Sequence, residues 1–150
     1  MHMKYHRLRP SVYGEFGKKT VFDRTIIPPT VKKLHYVLDG WNGGGWNEDQ
    51  LISSTPCFLV TEALQEALIK ANITGGSYDK VLVTKSLNFK ADYPKTSIPK
   101  FLWLKVNGSL NVDDLCLINK KLIVSDRALQ IFKANGLQPN QIFEFQEPIS

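Results

Sequence analysis

Two stretches of this chain lie on one another at a constant offset of 64 residues: FLVTEALQEALIKANI at 58–73 and LIVSDRALQIFKANGL at 122–137. A segment that occurs twice is expected to fold the same way twice, so this repeat constrains the architecture more than any single motif. Each copy opens on a β-prone run ending at Val60 or Val124. A hydroxyl residue follows, Thr61 or Ser125, suited to accept from the first unpaired N–H groups of a helix. Next comes a carboxylate, Glu62 or Asp126, where the helix dipole favours negative charge. Leu64, Ala67 and Leu68 return at helical spacing, matched by Ala128, Ile131 and Phe132, and mark a buried stripe. Asn72 and Gly136 tolerate the left-handed conformation, and each precedes an apolar residue, Ile73 or Leu137, in the manner of a Schellman stop.

After each stop a polar turn, at 74–79 and 138–140, leads to another β-prone run at 81–83 and 142–145. The expected fold is therefore α+β: a single domain over residues 1–150 with two internally similar strand–helix–strand units, at approximately 57–83 and 121–145. Two copies favour duplication inside one compact domain over an open solenoid, which needs more repeats to bury its core. Further strands are expected at 34–38, 101–106 and 115–118, the last turning through Asn119-Lys120 into 121–124 as a hairpin. Residues 86–100, broken by Pro94 and Pro99, read as a long surface connection, a place where binding often resides.

Composition enters through charge. The formal charge of +5 invites a nucleic-acid partner, but it is unevenly spread. Residues 1–38 hold eight Lys or Arg against two acids, while residues 39–150 hold eleven against twelve. From Asp39 to Ile69 there is no Lys or Arg at all. A nucleic-acid reader usually carries a basic stripe interleaved with aromatics on one element, and here the positive residues are scattered through turns. Lys80, Lys85, Lys90, Lys95, Lys100 and Lys105 recur every five residues, which matches neither the helical nor the strand period. The apolar runs are too short to span a bilayer, and the first ten residues lack the apolar core of a signal peptide, so a cytoplasmic protein is expected. Cys57 and Cys116 have no CxxC partner, which favours reduced, buried thiols over a disulfide framework or a zinc site.

The search for reaction chemistry yields little. Gly43-Gly44-Gly45 runs into Trp46 and Asn47, without the lysine and hydroxyl a phosphate loop requires. No GxSxG elbow occurs. His35 sits in an expected strand, where packing or a satisfied hydrogen bond is the simpler role. The adjacent acids Glu48-Asp49 and Asp113-Asp114 have no further ligand pattern around them, so no metal and no cofactor is expected. The most unusual stretch is DGWNGGGWNED at 39–49, two tryptophans flanking three glycines within the acidic region. Trp41, next to a strand, is expected in the core; Trp46 is equally suited to the core or to an exposed anchor for a partner, which the acids around it would make a basic one.

Six segments, DRTIIPP (23–29), KLHYVLDGW (33–41), PCFLVTEAL (56–64), FLWLKVNG (101–108), DDL (113–115) and LIVSDRAL (122–129), resemble the pattern of an uncharacterised bacterial family. LIVSDRAL and the helix after it are also similar to the end of immunity proteins from contact-dependent and other polymorphic toxin systems. That resemblance implies a small cytoplasmic protein that neutralises one cognate toxin by direct binding, and it supplies no catalytic residues. The chain departs from it in charge, since immunity proteins against nucleases are often acidic. The expected partner-binding residues are Trp41, Trp46, Glu48 and Asp49, with 86–100 as the second choice. Two other classes stay open: a small enzyme or toxin effector in which His35, Asp39, Asp113 and Asp114 converge in a cleft, and a nucleic-acid binder using the N-terminal cations. No membrane partner is expected, and the oligomeric state is not legible.

Overall fold

The computed structural model describes residues 3–27, 30–39, 49–54 and 56–146. In chain order the elements are β1 (Tyr5–Leu8), β2 (Gly14–Phe16), β3 (Val21–Asp23), β4 (Thr30–Lys33), β5 (His35–Leu38), β6 (Leu51–Ser54) and β7 (Cys57–Thr61). They continue through α1 (Glu62–Lys70), β8 (Gly76–Lys80), β9 (Leu82–Lys85), α2 (Leu87–Asp92), β10 (Phe101–Val106), β11 (Leu115–Ile118), β12 (Lys121–Ser125), α3 (Asp126–Ala134) and β13 (Ile142–Glu144).

Both repeated helices form where their caps place them. Thr61 Oγ1 accepts from Leu64 N at 3.2 Å and Ser125 Oγ from Ala128 N at 3.1 Å. Both stop in the same way, with Asn72 at φ 55° and Gly136 at φ 98°. The Ile73 N–H then donates to Leu68 O at 3.0 Å, and the Leu137 N–H to Phe132 O at 3.1 Å, satisfying helix-end carbonyls.

The pairing around these helices repeats at the same spacing. Hairpin β6–β7 aligns Leu51 with Val60, and hairpin β11–β12 aligns Leu115 with Val124, each residue 64 positions on. The first sheet has the order β6-β7-β10-β8 and the second β11-β12-β1-β13. All of their pairings are antiparallel. Leu104 lies between Phe58 and Tyr78, as Leu8 lies between Leu122 and Ile142. Each unit is thus a hairpin, a helix and an edge strand, completed by a central strand from elsewhere. That strand follows the unit in the first sheet, as β10, and comes from the N-terminal region in the second, as β1.

Side-chain alternation along these strands divides the interior. Phe58, Val60, Leu104, Leu8, Leu122 and Val124 turn to one face and share a core with Leu64 and Leu68 of α1 and with Leu129 and Phe132 of α3. The opposite face of the first sheet carries Ile52, Leu59 and Trp103. A third sheet, β2-β5-β9, supplies Tyr36 and Leu38 to that same cluster, and α2 adds Phe89. The Tyr36 hydroxyl donates to Ser53 O at 3.1 Å and accepts from Tyr13 N at 3.0 Å, and burial pushes the phenol up to about 12. The corresponding face of the second sheet carries a smaller cluster of Tyr5, Cys116 and Ile123.

This architecture corrects the α+β expectation. Among the described residues strand takes 42% and helix 20%, in four small sheets, three short α-helices and one 3-10 turn at Pro139–Gln141, so the described fold is sheet-dominated. The excess strand comes from β1–β4, β6 and β8, where elements of three to five residues carry too short a pattern to be read locally and form by pairing with other strands. Two narrower expectations also change. The counterpart of β13 is β8, and Val81 lies between β8 and β9, the latter running parallel to β5 in the third sheet. Residues 86–100 contain α2, capped by Ser86 and anchored by the fully buried Phe89, so they are partly core.

Candidate functional site

The Asp114 carboxylate, 3% exposed and held at the mouth of β11, is bonded through both of its oxygens. Oδ1 accepts from Ser125 Oγ at 2.7 Å. Oδ2 accepts from Thr74 N at 2.9 Å, Thr74 Oγ1 at 3.3 Å and Arg127 Nη2 at 2.6 Å. Burial pushes this carboxyl up, but the Thr74 N–H, the Ser125 hydroxyl and the Arg127 guanidinium outweigh it and hold the group below the usual carboxylate range. The equivalent place in the first unit is simpler. Gln50 stands for Asp114, and its Oε1 accepts from Thr61 Oγ1 at 2.9 Å. Ala63 stands for Arg127 and has no guanidinium to offer, and Gln50, Asn135 and Gly136 line a small depression of about 10 Å³, the space of one water. Asp114 is therefore a structural clamp that one unit has and the other lacks.

His35 is equally committed. Its Nδ1 accepts from the Lys19 N–H at 3.2 Å, so the ring proton resides on Nε2, which lies 2.7 Å from Thr84 Oγ1. Burial, then the charges of Lys19 and Lys18, lower its affinity for a second proton. Asp39 Oδ1 accepts from Ser86 Oγ at 2.5 Å and steadies the cap of α2. Asp113 Oδ2 accepts from Ser109 N at 2.8 Å inside its own turn. Among the described residues, His35, Asp39, Asp113 and Asp114 share no hydrogen-bond partner, and no group of three or more His, Cys, Asp or Glu is placed to hold a metal. The structure does not bring these four groups together.

Of the expected partner-binding residues, Trp41, Trp46 and Glu48 lie outside the described residues. Asp49 is described, and its Oδ2 accepts from the Tyr13 hydroxyl at 2.5 Å. Cys57 and Cys116 are free and buried, and burial pushes the Cys57 thiol up to about 11. No described helix is long and apolar enough to cross a membrane.

A large open concavity among the described residues was not legible in the sequence. It has a volume of about 490 Å³ and a floor of Leu34, Val81 and Leu82 beside buried His35. Lys19, Lys32, Lys33 and Lys80 line its rim, together with one carboxylate, Asp79. These lysines come from a turn after β2, from β4 and from β8, which belong to different sheets, so only the folded chain assembles them. Their sequence separation concealed the cluster; the one available signal was the lysine pair at 32–33 immediately before a buried strand. The arrangement is suited to hold an apolar group on its floor and anionic groups at its rim. Compared with known proteins, the chain matches no family model and no curated sequence.

Proposed function

We propose that this protein is an immunity-type binding protein that acts in the bacterial cytoplasm and neutralises a cognate toxin by direct protein–protein contact. The observation that carries this reading is the commitment of its chemically capable side chains to the scaffold. Both ring nitrogens of His35 are bonded, and the Asp114 carboxylate accepts from three residues. Such groups rigidify a fold and are poorly placed to move protons in a reaction. A binding protein needs a stable surface instead, and two fused sheet–helix units supply one. The resemblance of LIVSDRAL and the helix after it to immunity proteins points the same way.

The test is co-expression with each candidate toxin domain found in the gene's neighbourhood, together with calorimetric titration of the purified proteins. A stoichiometric complex and restored growth are expected. Growth arrest that persists while both proteins stay soluble would end the proposal.

A further inference from the structure

The lysine-rimmed groove carries an excess of positive charge. Among the described residues, the ammonium groups of Lys19, Lys32, Lys33 and Lys80 make no ion pair with a carboxylate, whereas Lys100 pairs with Glu62 at 3.8 Å and Lys105 with Asp79 at 3.7 Å. The four lysines share the concavity with one carboxylate, Asp79, which is already paired with Lys105, so the positive charges outnumber it and repel each other, and an anionic occupant relieves that repulsion. The floor adds a second preference, because Leu82 remains 43% exposed there and gains by being covered.

The shape selects a chain over a small molecule. A second depression of about 370 Å³ shares Lys80, Val81 and Leu82 with the first and continues past Ile98 and Pro99 to Lys100. The two together form a trough, with the β8–β9 junction as its saddle. An extended segment that alternates acidic and apolar side chains would lay the apolar ones on Leu34, Val81 and Leu82 and point the acids at the lysines.

We infer that this trough is the docking site for an acidic segment of the protein partner, with apolar side chains interleaved among its carboxylates. The inference rests on the toxin-binding reading above, and it assigns the partner's contact surface a negative charge.

The test uses the full chain and two probes. The first is a fluorescein-labelled seven-residue peptide alternating glutamate with leucine, compared with its glutamine analogue; the second is a toxin domain that the co-expression test above identifies. The altered protein carries Lys32→Glu, Lys33→Glu and Lys80→Glu. A second variant with glutamine at the same positions separates loss of attraction from new repulsion, and thermal melts verify that each folds. A charge-matched control carries Lys70→Glu, Lys121→Glu and Lys133→Glu, outside the trough. The wild-type protein should bind the acidic peptide in a salt-sensitive manner, and about tenfold or more weaker binding is expected for the glutamine peptide and for both trough variants. The control should stay within about twofold of wild type, and the toxin should follow the peptide. Equal binding of both peptides, or no salt-sensitive peptide binding by the wild type, overturns the trough assignment even when the toxin binds. So does a toxin affinity that is unchanged in the glutamate variant. Toxin bound by none of the proteins, with the peptide still bound by wild type, counts against the functional reading alone.

Discussion

Arg127 Nη2 lies 2.6 Å from Asp114 Oδ2, and the same guanidinium donates to Ala71 O at 2.5 Å and Asn72 O at 2.9 Å. A residue in the first turn of α3 thereby ties down the C-terminal cap of α1, so one side chain fastens the two units to each other. The carbonyls it satisfies belong to a helix end, where the dipole favours a cation.

Removing either partner should therefore be felt unequally. Arg127 is half exposed and Asp114 is not. Arg127→Ala should cost about 1.5 kcal/mol, while Asp114→Ala, which strands the Thr74 N–H and the Ser125 hydroxyl, should cost about 3 kcal/mol. Urea unfolding of the two variants measures the difference, and equal costs would contradict the clamp.

The same carboxylate predicts acid sensitivity. Its folded affinity for protons is depressed, so its contribution is present in full above the ordinary aspartate range near about pH 4 and is lost as pH falls through the lower folded value. Stability measured from pH 6 downward should decline less steeply in Asp114→Asn than in the wild type. Parallel curves would show that Asp114 is not the group responsible.

His35 acts in a neighbouring window. Its folded affinity for a proton is also depressed, by burial first and then by Lys19 and Lys18, so protonation favours the unfolded chain. Stability should begin to fall once pH drops below about 6.5, the ordinary histidine value. In His35→Gln, the slope between pH 7 and 5 should flatten, at some overall cost from the altered bonds to Lys19 and Thr84. A slope unchanged by the substitution would assign it elsewhere.

The β11–β12 turn contains avoidable strain. Asn119 and Lys120 both have positive φ, at 51° and 65°, the geometry of a two-residue hairpin that prefers glycine second. Lys120→Gly should stabilise the protein by about 0.5–1 kcal/mol, read as a higher urea midpoint at unchanged slope. No change, or a loss, would mean that the lysine side chain contributes more than the strain removes.

The matched registers invite a transplant. Gln50→Asp with Ala63→Arg should build in the first unit the clamp that the second possesses, using the carbonyls of Asn135 and Gly136. A double-mutant cycle should give a favourable coupling of about 1 kcal/mol. Strict additivity would show that the two sites differ by more than those side chains.

The parts of this fold legible in the sequence are those whose causes are local. Thr61 and Ser125 announce their helices because a cap acts within three residues, and Asn72 and Gly136 end them by backbone preference. The sheet-rich character escaped because Gly14–Phe16 and Val21–Asp23 are only three residues long and take their conformation from partners far along the chain. Asp114 could be seen but not placed, since Thr74 and Arg127 reach it only after folding. The trough needs three elements together, and spacing along a chain carries no record of that.

The origin of the central strands bears on the order of events during synthesis. Every strand of the first sheet lies between Leu51 and Val106, so that sheet can close while the remainder is still being made. The second sheet joins Tyr5–Leu8 to strands as late as Ile142–Glu144, and the N-terminal strand must wait, unpaired, for both neighbours to emerge. Its closure is the long-range, slow step. A permuted gene that carries Tyr5–Leu8 after Glu144 through a short linker would give both units the same reading order and shorten that wait.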